Sequence, residues 1–348
     1  MLKKSHSLSV GIVGLPNSGK STLFNSLTNN LVPAENFPFC TIDKNVGVVE
    51  IPDGRLEKLA DFYKTQKIVP GAIKFVDIAG LVKGASEGEG LGNQFLAHIR
   101  EVDVILYVLR AFESESISHF YNRIDPLEDF QIVQSELIFK DIEVLEKYGG
   151  GERILEFLNK GIPIIEMELT EDEEKIVNEL SLLTSKKRIF LLNIRQGVEH
   201  SRQEEWEKKF TELEGNFSIK VDVKMVGEVM EMNEEEKKEF LSLVEGEVLL
   251  IEDVIKAAYE RLGLITFYTG NEKECNAWSI VEGSNVKEAA GVIHNDLREN
   301  FITADVINVE KLIEVGGWVK AKEGGLVKNY SKDYIVKDGD YVSVLAGA

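Results

Sequence analysis

The apolar positions of this chain follow two periods, and the switches between them outline its elements. Leu8 to Val13 is an apolar run rich in β-branched residues and predicts a strand; Leu23, Phe24 and Leu27 follow at helical spacing. Val46 to Ile51 reads as a strand closed by a Pro52-Asp53-Gly54 turn, and Ala72 to Gly80 as an apolar strand. A helix begins within Phe95 to Ile99, and Val104 to Leu109 is a buried strand. From Asp125 to Thr184 the pattern is helical: Phe130, Val133 and Leu137, then Ile138, Ile142 and Leu145. Gly149-Gly150-Gly151 breaks the first helix. Thr170 with Glu173 predicts a capping box ahead of Ile176, Val177, Leu180 and Leu183. Lys187 to Asn193 is a strand, Val221 to Met225 the last strand of that core, and Glu234 to Glu247 an acidic helix with a solvated face. Ile251 to Leu262 is a helix leading to Gly263. Short strands follow at Leu264–Phe267, Asn276–Ile280, Tyr334–Val336 and Val342–Leu345, with a helix around Val286 to His294 and a turn at Lys337–Asp340. This order predicts an α/β domain followed by a smaller strand–helix–strand unit.

Composition narrows the class. The chain has 348 residues, room for two or three domains. With 43% hydrophobic and 29% charged residues it reads as soluble and globular, and no apolar run reaches the length of a membrane helix. Met1 to His6 carries two lysines with no long apolar segment behind them, so no signal peptide is read. Cys40 and Cys275 are the two cysteines, too few for a disulfide scaffold, which fits a reducing, cytoplasmic setting. A net charge of −20 argues against broad binding to bare nucleic acid, while leaving a local basic patch open.

The densest chemistry is Gly14-Leu15-Pro16-Asn17-Ser18-Gly19-Lys20-Ser21-Thr22, which fits G-x-x-x-x-G-K-[ST] between a predicted strand and a predicted helix. Gly14 and Gly19 let backbone N–H groups turn toward an anion, and the helix N-terminus adds partial positive charge. Asn17, Ser18, Gly19, Lys20, Ser21 and Thr22 are therefore candidate nucleotide contacts: Lys20 for the β- and γ-phosphates, the Ser21 hydroxyl for Mg²⁺. Phe37 to Asp43 lies where such proteins place a first switch, and Thr41 is the candidate to complete the Mg²⁺ shell; an ordinary loop threonine is the alternative. Asp77 and Gly80 form Asp-x-x-Gly at a strand end, the Asp to support the metal and the Gly N–H to sense the γ-phosphate. The next residue, Leu81, cannot orient a water as the Gln of signalling GTPases does. Gly84, Gly88, Gly90 and Gly92 make the following loop cheap to rearrange, as a second switch requires. Asn193 ends its strand where GTPases carry Asn-Lys-x-Asp, but Gln196 replaces the acid that accepts from guanine N1–H and N2–H₂. A Gln amide can pair with either adenine or guanine.

Gly11 to Leu27, Phe37 to Gly47 and Phe75 to Arg110 resemble the YchF-type Obg-like ATPases, members of the translation-factor class of phosphate-loop NTPases. The likeness extends over nearly the whole chain. It implies ATP hydrolysis, association with ribosomes, and an apolar residue in place of the catalytic Gln, as Leu81 is here. It also implies a catalytic His after an Arg-x-Phe-Glu stretch; Arg110-Ala111-Phe112-Glu113 is followed at that place by His119. On its own chemistry His119 is a polar-loop histidine. In many relatives lacking the Gln, the Asn at the place of Asn17 helps bind K⁺; a turn Asn is the alternative. The family usually has Glu where Gln196 stands, and inserts an antiparallel coiled coil that the early Gly149–Gly151 break shortens to a stub. The C-terminal pattern resembles the TGS domain, a ubiquitin-like β-grasp module. Its nine Lys and Arg against thirteen Asp and Glu from Leu264 to Ala348 make no basic footprint.

The expected architecture is an α/β phosphate-loop NTPase domain (1–128 and 185–263) interrupted by a helical, shortened coiled-coil insertion (129–184) and followed by a TGS domain (264–348). The expected function is slow Mg²⁺-dependent ATP hydrolysis coupled to switch rearrangement, with the large ribosomal subunit as partner and no membrane. A GTPase with the same mechanism is one alternative. A ribosome-binding adaptor with negligible turnover is another, and a thiol sensor through Cys40 a weaker third.

Overall fold

Strand β1 (Ser9–Val13) is buried at all five positions, and β5 (Val104–Arg110) at all seven. A strand buried on both faces needs an unbroken apolar run, and both sequences supply one. The computed structural model describes residues 8–28, 45–78, 99–114, 123–198, 201–214, 217–244 and 248–347. In it, β1 and β5 are central strands of a six-stranded sheet. The order is β2 (Val46–Glu50), β4 (Ala72–Asp77), β1, β5, β6 (Lys187–Asn193) and β7 (Ser218–Val221). All neighbours are parallel except β2, which runs antiparallel to β4.

Helices cover both faces. On one, Leu23, Phe24 and Leu27 of α1 (Lys20–Thr28) pack with Val254, Ile255 and Ala258 of a later helix, Ile251–Leu262. On the other, Phe130, Val133 and Leu137 of α3 (Pro126–Tyr148) meet Trp206 and Phe210 of α6 (Gln203–Glu214) over Tyr107 and Phe190. Asp125 caps α3, Pro126 opens it, and Gly149 in the left-handed region closes it. The chain then returns through α4 (Glu152–Asn159) and α5 (Glu171–Leu180), the latter opened by the expected Thr170–Glu173 capping box. Ile138, Leu145, Ile154, Leu158 and Val177 form the core of this helical part, so its apolar stripe is internal packing.

The second sheet has the order β11 (Lys328–Tyr330), β10 (Phe301–Asn308), β12 (Asp340–Ala346), β8 (Leu264–Gly270), β9 (Cys275–Val281) and β3 (Ile68–Val69). Val286 and Ala289 of the helix Val286–Ile293 pack against Phe267, Ile280 and Val306 on one face. The other face takes Leu56, Leu59 and Ala60 of α2 (Gly54–Tyr63). Both α2 and β3 belong to the connection between β2 and β4 of the first sheet.

Three expectations are corrected. Pro52-Asp53-Gly54 is not a simple turn, because the Asp53 carboxylate accepts from the Arg55 N–H and starts α2. Val221 to Met225 is not one strand: β7 stops at Val221, and the Asp222 side chain caps α7 (Val223–Met230) by accepting from the Met225 N–H. Tyr334–Val336 joins no ladder; Ile335 makes a single bridge to Asn285, and β10 and β11 are the strands of that region.

Candidate functional site

The loop between β1 and α1 is shaped by what its neighbours leave free. A Cβ on Gly14 would lie 2.3 Å from the Val108 carbonyl oxygen, so only glycine fits. Gly19 sits at φ +106°, where a Cβ would meet the Asn193 amide nitrogen at 2.4 Å. Asn17 takes φ 63°, a left-handed conformation that Asn tolerates better than most residues. The Ser18 hydroxyl is buried inside the loop and makes no hydrogen bond to the protein. An orphaned buried donor is costly, and a phosphate oxygen in the loop would satisfy it.

Lys20 begins α1 and is buried. Its ammonium folds back and donates to the Leu15 carbonyl at 2.8 Å. Burial pushes its pKa down to about 8, opposed by the negative charge of Asp77. Asp77 ends β4 and pairs in register with Ile12 at the end of β1, which brings it beside the loop. Burial raises the Asp77 pKa, and Lys20 opposes that rise. Both shifts describe a cation and a carboxylate held in a half-dry cleft. Ser21 and Thr22 lie exposed on the first turn of α1.

Asn193, at the end of β6, ties this loop to the next element. Its side-chain N–H donates to the Ser18 carbonyl at 2.8 Å, and its side-chain oxygen accepts from the Val223 N–H at 3.2 Å. Gln196 follows in a tight turn, with its backbone N–H donating to the Asp222 carboxylate at 2.9 Å. The Arg195 guanidinium lies over the Phe112 ring at 5.6 Å and packs this turn against the segment after β5. Asn17 to Thr22, Asp77, Asn193 and Gln196 thus gather at the C-terminal ends of the parallel strands of the first sheet, the edge where such sheets bind ligands. Thr41, Gly80 and His119 lie outside the described residues, as do Leu81 and Cys40. Asp222 was not among the candidates. Its signal was an acid standing just before Val223, Val226 and Val229, an apolar set at helical spacing.

A glycine turn after a central parallel strand, a buried lysine at the helix start and a carboxylate on the adjacent strand define a phosphate-loop nucleotide-binding domain. Residues 9–142 match a family model described as a 50S ribosome-binding GTPase, and residues 264–346 match the YchF-GTPase_C model, described as a protein of unknown function. The chain is 40% identical to the ribosome-binding ATPase YchF of Bacillus subtilis, covering 96% of this chain and 98% of that protein. The protein of the same name from Escherichia coli O157:H7 is also 40% identical, with the same coverage. The chain belongs to the YchF family. Its fold matches the structure of the Schizosaccharomyces pombe YchF GTPase with a TM-score of 0.85 at 32% identity, covering 97% of this chain and 98% of that one. Among the described residues, no helix is long and apolar enough to cross a membrane.

The lysine gives the site a pH dependence. A phosphate chain favours charged Lys20, so binding above its free value must take up a proton. Affinity for Mg-nucleotide is therefore expected to be nearly flat below pH 7 and to fall as pH rises through about 8. If only the charged form binds, the loss between pH 7 and 9 is about tenfold. Calorimetry across that range checks it, and a flat profile would contradict the assignment.

Proposed function

We propose that this chain is a Mg²⁺-dependent switch that binds and hydrolyses ATP in association with the ribosome, through its large subunit, in the cytoplasm. The observation that carries the reading is Lys20, buried at the base of a glycine loop beside Asp77. A desolvated ammonium is costly unless an anion visits it. The names of the Bacillus subtilis and Escherichia coli relatives support ATP and the ribosome; the Schizosaccharomyces pombe relative is named a GTPase.

In this reading Asn17 to Thr22 cradle the phosphates, Asn193 and Gln196 meet the base, Thr41 and Gly80 respond to the γ-phosphate, and His119 assists the attacking water. Ser21 and Asp77 fit Mg²⁺, a hard cation that takes one or two protein oxygens and fills its shell with water and phosphate oxygens. Bound there, Mg²⁺ would supply charge neutralisation on the phosphates. Asn17 is the proposed contact for K⁺. The division at 128/129, 184/185 and 263/264, with a TGS module at the C-terminus, belongs to the same proposal.

Base preference tests it most sharply. Gln196 removes the charged acceptor for guanine's two donors. Hydrogen bonds to charged groups contribute roughly 1.5–3 kcal/mol, so GTP should bind on the order of tenfold more weakly than in a GTPase that keeps the acid. ATP is expected to bind this chain more tightly than GTP by a modest margin, and Gln196→Asp to move the preference toward GTP. Titration calorimetry with Mg-ATP and Mg-GTP decides; tighter GTP binding by the unaltered chain would sink the adenine reading. Turnover measured with and without ribosomes separates the enzyme from an adaptor that holds nucleotide without hydrolysing it.

A further inference from the structure

Asp222 does more than cap a helix. It is 5% exposed, and its carboxylate faces two backbone donors. One oxygen accepts from the Met225 N–H at 3.0 Å, an ordinary cap. The other accepts from the Gln196 N–H at 2.9 Å, a residue 26 positions upstream. That second bond replaces a missing strand partner. The Ile194 N–H still finds the Val221 carbonyl, at 3.1 Å, but β7 ends there. The chain then turns through Arg195–Val198, with Gly197 at φ +75°. The turn closes on its own Val198 N–H to Arg195 carbonyl bond at 3.1 Å, and Asp222 ties it to the start of the next helix through the Gln196 N–H. Asn193 takes the neighbouring donor of the same helix, Val223 N–H, and holds the Ser18 carbonyl with its other end. Two side chains therefore register three segments: the phosphate loop, the turn carrying Gln196, and the start of α7.

The arrangement requires a carboxylate. Two N–H donors need two acceptor oxygens, and an amide would set its NH₂ against one of them. The negative charge is also favoured at a helix N-terminus. We propose that Asp222 is a positioning residue that fixes Gln196 at the purine edge and so sets base discrimination. This rests on the nucleotide-site reading above and assigns the acid of the base pocket a supporting place in the loop's frame.

The experiment uses the full chain with Asp222→Asn and Asp222→Ser. Both keep an oxygen that can cap the Met225 N–H. In the first, an NH₂ faces the Gln196 N–H; in the second, the side chain is too short to reach it. Calorimetry is run with Mg-ATP, Mg-GTP and Mg-tripolyphosphate. Tripolyphosphate affinity is expected to stay within about twofold of the unaltered chain, while ATP affinity falls about tenfold and the ATP-to-GTP ratio shifts by roughly threefold or more. An unchanged ratio overturns the proposal. So does a parallel loss of all three ligands, which marks a merely structural role. If the unaltered chain binds neither nucleotide nor tripolyphosphate, the site reading fails first and this assignment with it. Should both variants melt out, Asp222→Glu carries the test: it keeps the charge but moves both acceptor oxygens by a methylene, so the ratio must shift with tripolyphosphate affinity kept, and a constant ratio overturns the proposal.

Discussion

Lys20→Ala is expected to reduce ATP turnover to about 1% or less of the unaltered chain while leaving it folded. The two halves of that expectation have different origins. Among the described residues Lys20 makes one side-chain hydrogen bond, to the Leu15 carbonyl, and its charge is desolvated. Deleting it removes about 1 kcal/mol of hydrogen bonding but also removes a buried charge, so the net change in stability is small. With nucleotide the balance reverses. In the proposed site the ammonium would sit against phosphate oxygens whose charge grows in the transition state, and a preorganised donor there contributes on the order of 10²–10³ in rate. Ground-state affinity falls less, by about tenfold or more, because it loses one charge-assisted contact. Single-turnover hydrolysis, calorimetry and a thermal melt separate the three quantities. Normal hydrolysis in the folded variant would remove the phosphate-loop assignment altogether; a variant that unfolds would show the lysine to be structural.

What could be read from the sequence was local. Gly14 to Thr22 is a contiguous motif whose glycines can be read in place, although the neighbours that require them, Val108 and Asn193, are distant in sequence. The Thr170–Glu173 box and the Gly149 stop are likewise settled within one helical turn. Asp222 shows the other case. Val221 and Val223 alternate as a strand would, and the bonds from the Met225 N–H to the Asp222 side chain and from the Val226 N–H to the Asp222 carbonyl show that the chain has already turned into a helix. Leu56, Leu59, Ala60 and Tyr63 carried helical spacing behind Asp53, yet Pro52-Asp53-Gly54 is so strong a turn motif that it masked the cap. Nothing local could show that α2 docks on the second sheet, because its partners lie more than two hundred residues away. β10 escaped for a different reason: Ile302 is exposed while Val306 and Ile307 are both buried, so period-two alternation is lost. In the site, Asn193 was found by its position, but its bridge to Ser18 spans 175 residues and has no sequence mark. Thr41, Gly80 and His119, outside the described residues, rest on the sequence.

The docking of α2 leads to the other large effect: Arg55→Ala is expected to lower stability at pH 7 by about 2 kcal/mol. Arg55 holds two carboxylates from distant parts of the chain. Its Nε and one terminal nitrogen donate to Asp53 at 3.0 Å each, and the other terminal nitrogen donates to Asp338 at 2.5 Å. Asp338 in turn accepts from the Thr266 N–H at 2.9 Å, and Asp53 accepts from the Tyr268 hydroxyl, both on β8. The guanidinium lies over the Tyr268 ring at 5.4 Å. Removing it leaves Asp53, whose side chain is 10% exposed, without its charge partner. The exposed Lys175–Asp172 pair, at 72% and 90% exposure, is the control: Lys175→Ala should change stability by less than about 0.5 kcal/mol. Acid supplies a second check. Burial alone would raise the Asp53 pKa, but its hydrogen bonds to Arg55 and Tyr268 outweigh that and hold it below the ordinary 3.8. A depressed carboxylate adds stability that is complete above its unfolded value and lost as pH falls through its folded one. The gap between the unaltered chain and Arg55→Ala should therefore be full at pH 7 and shrink as pH drops below 3.8. Urea unfolding across that range measures it. Equal midpoints at pH 7 would mean that the Arg55 guanidinium adds nothing to the link, which the packing of Leu56, Leu59 and Ala60 and the remaining hydrogen bonds then hold.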